Sequence, residues 1–456
     1  MRGTLVLVLL ALVVAGVVLL RSKRPAWYWM TFGALVALVR IAFTYGSVME
    51  ACGLTVPPSR IRLVLARMAR REVPPNRPPR LLRTRVTRTG LVLRLRLRPG
   101  QDAFDVSAST DRLRHSFRMY GVTSREIKAG VVEVRMTGYD VLHQVVIPAK
   151  TDRDLLRVPV AMVDDGSVHY RDFRQVPHCL ELGATLSGKS VYQRNLVTEL
   201  SAQPVALVGI DCKQGVELGP LARRFSALAD NPDSAADLLE ALVGLMADAF
   251  QLIRREQRIS ADTPDAEITS DIWGLPEHLR PVPVVLFIDE VAELLLISSP
   301  SQKKRRERIM TALISLVQLG RAAGIYVEVC GQRFGSELGD GVTMLRAQLT
   351  GRVCHRVNDE GSAKMAFADI SPEAVLAATM IPAELPGVAI VGDTAGGWSR
   401  TRAPHTTLRQ AVTACNETAH LTPDLPELAA FRPVLPPLVT AGPPSLIKPR
   451  PRPVTE

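Results

Sequence analysis

The chain opens with two apolar runs separated by a short basic loop. The first run, residues 4–20, reads TLVLVLLALVVAGVVLL and carries no charge, and the second covers about 26–45. A helix needs roughly 17–25 apolar residues to cross a bilayer, so the first run is just long enough. The pattern predicts two transmembrane helices within a membrane anchor formed by residues 1–58.

Residues that flank these runs leave the topology of the anchor open. Trp27 and Trp29 suit a headgroup interface, and the basic segment after the second run favours a cytoplasmic location for both termini. Arg21, Lys23 and Arg24 in the connecting loop favour the opposite orientation. A single span followed by an interfacial second helix is therefore an alternative to a hairpin.

The pattern changes character after the anchor. Residues 59–79 join a basic stretch to the proline-rich VPPNRPPR and are predicted to form a linker. Over residues 91–98 leucine or valine alternates with arginine, which is the period of a strand with one buried face. A helix near 111–120 and a strand at 131–136 complete a small α+β module over residues 80–154.

Apolar, β-branched runs alternate with helical stretches over residues 155–403. These runs lie at 205–210, 284–288, 325–330 and 388–391. Strands separated by helices predict an α/β domain with a parallel sheet that is covered on both faces. The last 36 residues hold ten prolines, and residues 404–456 are predicted to form an extended, disordered tail.

Charge is concentrated in one part of the chain. The 456 residues have a formal net charge of +11, whereas residues 59–100 contain thirteen arginines and one acid, a local charge of +12. A concentrated positive charge favours an anionic partner, either nucleic acid or a membrane surface. The six cysteines form no CxxC pair, which argues against a disulfide framework or a zinc site and suits a reducing compartment.

One short segment carries the spacing of a phosphate-binding loop, GxxxxGK[ST]. It consists of Gly183, Ala184, Thr185, Leu186, Ser187, Gly188, Lys189 and Ser190. A candidate strand precedes it and a candidate helix follows it, so its backbone N–H groups would point at phosphate oxygens. Lys189 would reach the β- and γ-phosphates of ATP, and the Ser190 hydroxyl would bind Mg²⁺.

Two further strand ends supply the remaining chemistry. The apolar strand at 284–288 ends in Asp289 and Glu290. Asp289 is predicted to hold Mg²⁺ through water, and Glu290 to orient or deprotonate the water that attacks the γ-phosphate. Gln332 follows the strand at 325–330 and could sense the γ-phosphate, while Glu328 inside that strand has no explanation from the sequence.

These motifs together resemble the FtsK/SpoIIIE family of DNA-pumping motors over about residues 80–403. The segment IDCKQGVEL at 210–218 is similar to the D-P-K-x-x-E-L signature of that family, and VVLFIDEVAELL and RAAG…GQR are similar to its later motifs. Three positions depart from the family pattern: Leu186 replaces a glycine, Cys212 a proline, and Phe334 a proline. None of them removes a ligand, so we expect ATP binding to be retained.

The resemblance implies a RecA-like motor that assembles as a ring, a homo-hexamer, with ATP at the subunit interfaces and double-stranded DNA through the centre. It also implies that an arginine from the neighbouring subunit stabilises the transferring phosphoryl group. We expect Arg352 in this role, with Arg346 and Arg333 as alternatives. The predicted surfaces for DNA are Arg94, Arg96 and Arg98 and the basic residues 303–306, with anionic lipid as the alternative for the linker arginines.

The order of anchor, linker, module and motor looks most like the transfer proteins of actinobacterial conjugative plasmids and integrating elements, often called TraB or TraSA. We therefore predict a membrane-anchored, ATP-driven translocase of double-stranded DNA with a cytoplasmic motor, working with other transfer proteins. A type VII protein-secretion ATPase is an alternative, although such chains usually carry several motor domains in series. A chromosome-partition translocase and a non-hydrolysing membrane scaffold are further alternatives.

Overall fold

The structure is a computed structural model that describes residues 14–58, 68–69, 75–143, 145–148, 151, 153–257, 270–297, 299–393 and 396–435. Most of the first apolar run, most of the basic linker and the end of the proline-rich segment lie outside these residues.

The second apolar run forms a helix, α1 (Pro25–Ala51), with a π-helical turn at Trp29–Gly33. Within the described part of the chain, it is the one helix long and apolar enough to cross a membrane. One side of α1 packs on the module. The Trp29 indole donates to Thr87 O at 3.1 Å, and the Tyr45 hydroxyl donates to Pro79 O at 2.9 Å. The helix is therefore held against the module near both of its ends.

The other side of α1 is apolar and exposed. It presents Trp27, Met30, Phe32, Leu35, Val36, Val39 and Phe43. A helix that is bound to the module at two distant points cannot move independently of the module. The hairpin and its alternative, a single span followed by an interfacial helix, both stay predictions.

The module is an antiparallel four-stranded sheet in the order β1-β2-β4-β3 with helices on one face. Its elements are β1 (Arg80–Val86), β2 (Gly90–Arg96), α2 (Ala103–Ala108), α3 (Thr110–Phe117), β3 (Gly121–Lys128) and β4 (Val131–Thr137). The alternation in β2 sets its orientation: Leu91, Leu93 and Leu95 are buried in a core shared with α1 and α3, while Arg94 and Arg96 are exposed.

The motor domain is built on a ten-stranded sheet in the order β6-β5-β14-β13-β12-β7-β11-β10-β8-β9. Its strands are β5 (Arg157–Val163), β6 (Val168–Asp172), β7 (His178–Leu182), β8 (Ala206–Ile210), β9 (Phe225–Ala229), β10 (Val284–Ile288), β11 (Ile325–Gly331), β12 (Gly351–His355), β13 (Val388–Asp393) and β14 (Trp398–Arg402). The six strands from β12 to β9 pair in parallel, as predicted. The other pairs are antiparallel, so the sheet is mixed rather than wholly parallel.

Helices cover both faces of this sheet, which is why its central strands are buried throughout. The helices are α4 (Lys189–Ser201), α5 (Pro232–Glu256), α6 (Val291–Leu295), α7 (Pro300–Leu319), α8 (Val342–Gln348), α9 (Glu360–Phe367), α10 (Pro372–Thr379) and α11 (Leu408–Glu417). Short 3₁₀ segments lie at Gly219–Arg224, Ile272–Gly274, Glu277–Leu279, Ser336–Leu338, Ala419–Leu421 and Pro426–Phe431. One core lies beneath α5 and α7, and a second lies beneath α4 and α11.

The predicted disordered tail begins too early. Residues 404–435 fold onto the motor, because α11 buries Ala411 and Cys415 on one side, and Leu428 is also fully buried. The side chain of Asn195 donates to Pro404 O at 2.9 Å. Four-residue spacing of small apolar side chains is enough to dock a helix here, despite the prolines that follow it. Residues 436–456 lie outside the described residues.

Candidate nucleotide-binding site

Four parallel strands end side by side at one edge of the motor sheet. The order β7-β11-β10-β8 and the parallel register, in which Ile288 pairs with both Ile210 and Val329, bring their carboxyl ends together. Ligands of open α/β sheets bind at such an edge. The phosphate-loop segment and the residues that follow β8, β10 and β11 therefore share one cleft.

The phosphate-loop segment connects β7 to α4 and has little room for side chains at its glycines. A Cβ added at Gly183 would lie 2.9 Å from the Cβ of His355. Gly188 has φ of 107°, and a Cβ there would overlap the backbone of Gly387. Leu186 adopts a left-handed conformation with φ of 61° and is 88% exposed, so the family glycine that it replaces would fit this backbone with less strain.

Two lysines neutralise the two acids at the end of β10. Lys189 Nζ lies 3.2 Å from Glu290 Oε2, and both side chains are at least nine-tenths buried. Lys213 Nζ lies 2.7 Å from Asp289 Oδ2. Burial opposes the charge of Lys213, but the hydrogen bond and the charge of Asp289 outweigh burial and raise the pKa of Lys213.

The remaining oxygens of these acids show what else the site could hold. Glu290 Oε1 accepts a hydrogen bond from the backbone N–H of Gln332 at 3.2 Å. Asp289 Oδ1 is buried and has no partner among the described residues. A buried carboxylate oxygen without a partner is costly, and Mg²⁺ or its bound water would satisfy it. The donor set of Asp289 and Ser190 therefore fits a magnesium ion.

A cleft of about 420 Å³ opens beside these residues, a volume typical of small-molecule sites. Its walls include Ala184, Lys213, Glu290, Gln332 and Arg333. The structure thus brings the loop, both acids and Gln332 to one place. The side chain of Gln332 is exposed, and that of Arg333 reaches across to Asp359 at 2.9 Å.

Arg352 does not lie where a neighbouring subunit could use it, and our prediction for this residue is wrong. It is on β12 and only 1% exposed. Its guanidinium donates to the backbone carbonyls of Ala366 at 3.1 Å and Arg346 at 2.9 Å, and it lies 3.5 Å from an Asp369 carboxyl oxygen. The strand pattern around β12 was not recognised in the sequence, so the burial of its arginine could not be anticipated.

Sequence reasoning also missed Arg356, which holds the phosphate loop in place. Its guanidinium donates to Thr185 O at 3.0 Å and to Asn358 Oδ1 at 3.2 Å. The family signature includes Lys213 but gives it no role. Lys213 follows the strand predicted at 205–210, and that position is a signal that could have found it. Arg356 follows β12, a strand that the sequence pattern does not reveal.

The structure explains Glu328, the charged residue inside β11. Glu328 is fully buried, and Arg171 of β6 donates to its Oε1 through Nε at 2.6 Å. Burial raises the pKa of Glu328 although the charge of Arg171 lowers it. A second buried pair joins His355 Nε2 to Glu181 Oε1 at 3.1 Å. These pairs tie β6, β7, β11 and β12 together beneath the phosphate loop.

Three features meet at the end of the parallel strands: the glycine-flanked loop, the contact between Lys189 and Glu290, and the free oxygen of Asp289. Together they define a P-loop ATPase with a RecA-like arrangement. Residues 141–336 match the FtsK/SpoIIIE family, and residues 17–138 match the actinomycete conjugal transfer protein N-terminal domain. The chain belongs to the FtsK/SpoIIIE family, as the sequence motifs predicted.

Individual relatives narrow this class further. The chain is 71% identical over 403 residues to the transfer protein TraSA of Streptomyces ambofaciens, covering 88% of this chain and 97% of that protein. It is 26% identical over 235 residues to the DNA translocase FtsK of Lactococcus lactis subsp. cremoris, covering 50% of this chain and 29% of that protein. Among solved structures, the pCW3 conjugation coupling protein TcpA with ATPγS aligns with a TM-score of 0.54 at 18% identity, over 76% of this chain and 94% of that one. The last likeness shows the fold alone.

Proposed function

We propose that the chain is a membrane-anchored, ATP-driven translocase of double-stranded DNA that acts in conjugal transfer. The observation that carries the proposal is similarity to a transfer protein over 88% of the chain, in a molecule whose phosphate loop and strand-end acids meet at one cleft. A non-hydrolysing scaffold would have no use for a buried Lys189 and Glu290 pair at the mouth of the phosphate loop.

The site residues divide the work of ATP hydrolysis between them. The backbone of residues 183–190 and Lys189 bind the phosphates, and Ser190 and Asp289 hold Mg²⁺, which supplies positive charge to the transferring phosphoryl group when bound. Glu290 orients the attacking water and accepts its proton. The side chain of Gln332 faces the cleft and senses the γ-phosphate.

One ion pair must open before the site can work. Lys189 has to leave Glu290 in order to bind phosphate. Lys213 can stay on Asp289 Oδ2, because the oxygen offered to the metal is the free Oδ1. Nucleotide binding is thus linked to the release of Glu290 at the end of β10.

Assembly and location complete the proposal. We place the motor in the cytoplasm as a homo-hexameric ring around duplex DNA, together with other transfer proteins. Arg333 replaces Arg352 as the arginine offered to a neighbouring subunit, because it is exposed beside the cleft. The exposed apolar side of α1 and the apolar residues 4–20 attach the chain to the cell membrane.

The ATPase rate of the full chain in detergent micelles, with and without duplex DNA, tests this function. We expect stimulation by duplex DNA but not by single strands, and no activity in the Lys189→Ala variant. An ATPase that ignores duplex DNA and responds to an exported protein would overturn the proposal in favour of protein secretion.

A further inference from the structure

We propose that the outward face of the module's sheet is a second binding surface for duplex DNA, which grips the phosphate backbone without reading sequence. We call it the basic face and define it by Arg80, Arg83, Arg85, Arg94, Arg96 and Arg125. The inference rests on the proposed function in one respect, namely that duplex DNA is the substrate of the motor.

Strand register places these arginines on one side of the sheet. Arg83 of β1 pairs with Arg94 of β2, and Arg80 pairs with Arg96. Glu133 of β4 pairs with Arg94 on one side and with Arg125 of β3 on the other. Residues directly opposite each other in an antiparallel pair point to the same face, so one row of charged side chains crosses all four strands.

Most of the positive charge on this face is not neutralised. Glu133 is shared by Arg94 and Arg135, each at 3.1 Å, and Arg135 also lies 3.6 Å from Asp165 in the turn between β5 and β6. Arg83 and Arg85 are exposed and form no ion pair with any residue that the structure describes. Like charges directly opposite each other destabilise a sheet, so the arrangement is poor for folding and good for binding an anion.

The position of α1 decides between DNA and lipid as the anion. Leu91, Leu93 and Leu95 face the helical side of the sheet, where they share a core with α1, and the exposed apolar side of α1 points away from that core. The basic face lies on the opposite side of the sheet. Packed layers lie about 10 Å apart, whereas charges are screened over about 8 Å at physiological salt. The layer of helices therefore separates the basic face from the apolar side of α1 by more than the screening distance. If α1 lies on the membrane, the basic face is turned away from the lipid headgroups.

The composition of the face favours duplex over single-stranded nucleic acid. Single-strand binding surfaces combine positive charge with aromatic side chains on which bases stack. The strands of this sheet, residues 80–86, 90–96, 121–128 and 131–137, contain no aromatic residue. Arginines without stacking partners suit the sequence-independent grip of a phosphate backbone.

The inference is tested by measuring how a fluorescent duplex of arbitrary sequence binds at several salt concentrations. The protein is the full chain in neutral-lipid nanodiscs, without nucleotide. The test variant is Arg83→Gln/Arg85→Gln. The matched control is Arg114→Gln/Arg118→Gln, which removes the same charge from the helical side at the end of α3. Each lost phosphate contact lowers the slope of log K against log salt by about one, so the test variant should lose about two and the control nothing.

Each outcome decides the inference. A lower slope in the test variant but not in the control, with DNA-stimulated ATPase retained at low salt, supports a separate surface on the module. A fall in slope that is equal in both variants would reflect the net charge of the chain and overturn the inference. Equal slopes in the wild type and both variants overturn the basic face and leave the motor proposal standing. If the test variant loses binding to anionic vesicles but keeps its affinity for the duplex, the face binds lipid and the inference is wrong. If the wild type binds no duplex at all, the proposed function falls as well.

Discussion

The two sheets of this molecule treat charged side chains in opposite ways. In the motor sheet, Glu328 and Arg171 lie within covered strands and form a buried pair at 2.6 Å. In the module's sheet, Arg83 and Arg94 stand opposite each other and are exposed, on a face that the motor contacts at Arg135 through Asp165. A charge within a strand therefore has no fixed meaning. Its role depends on whether the second face of the sheet is covered.

This difference determines what a single substitution can do. Each buried charge of this pair has one counter-ion, and removing that counter-ion leaves an uncompensated ion in a medium of low dielectric constant. An exposed arginine in a patch shares its work with its neighbours and is screened by salt. We expect large effects from single changes in the motor sheet and graded effects in the module.

The largest effect is expected at Glu290. The Glu290→Gln variant keeps the shape of the side chain but cannot accept a proton, so the ATPase rate should fall by roughly two to four orders of magnitude while ATP still binds. Turnover and nucleotide affinity measured on the same preparation separate the two steps. The matched control is Glu427→Gln, an exposed carboxyl in the segment after α11, which should leave turnover unchanged. Retention of more than a tenth of the activity in Glu290→Gln would exclude Glu290 as the base.

The buried pair beneath the site comes next. Glu328→Ala should lower the free energy of unfolding by about 3–5 kcal/mol, because Arg171 would keep its hydrogen bonds to the carbonyls of Asp172 and Val176 but lose its counter-ion. Replacing both residues, as Arg171→Met/Glu328→Leu, should restore stability close to that of the wild type. Denaturant titration of the three chains measures both values. A cost below about 1 kcal/mol for the single variant would mean that water reaches this pair and that the contrast between the two sheets is wrong.

Arg352 and Arg333 offer a comparison within the motor. Arg352→Met removes hydrogen bonds to buried carbonyls and should cost about 2–4 kcal/mol of stability, with little change in turnover per folded molecule. Arg333→Met should leave the melting temperature unchanged and lower turnover at least tenfold if this arginine serves a neighbouring subunit. If Arg352→Met lowered turnover without loss of stability and Arg333→Met left turnover unchanged, Arg352 would be the arginine that serves the neighbouring subunit.

The sequence is informative where a spacing corresponds directly to a contact. The phosphate-loop segment and Asp289 with Glu290 are recognisable because backbone approach to phosphate demands glycine and magnesium demands carboxylate. Arg352 was misassigned because nothing local distinguishes an arginine that satisfies buried carbonyls from one that faces a neighbour. The antiparallel part of the motor sheet was missed for a similar reason. β5 pairs with β14, more than two hundred residues later, and no local period reports such a pairing.

The smallest effect is the response of the motor sheet to acid. His178 of β7 is 2% exposed, and burial, with a contribution from the charge of Arg171, lowers the pKa of His178 to about 3. Below pH 6.5 the unfolded chain binds a proton that the folded chain does not, so stability falls as the pH drops from 6.5 towards 3. The contribution is about 1.4 kcal/mol for each pH unit below 6.5.

The His178→Leu variant should therefore lose less stability than the wild type between pH 7 and pH 5.5, in denaturant titrations at each pH. The Arg83→Gln/Arg85→Gln variant of the module should keep the wild-type pH dependence, because its changed groups do not titrate in this range. Equal acid sensitivity in the wild type and His178→Leu would show that His178 is protonated in the folded protein, and that the motor sheet is less tightly closed to water than its covered strands indicate.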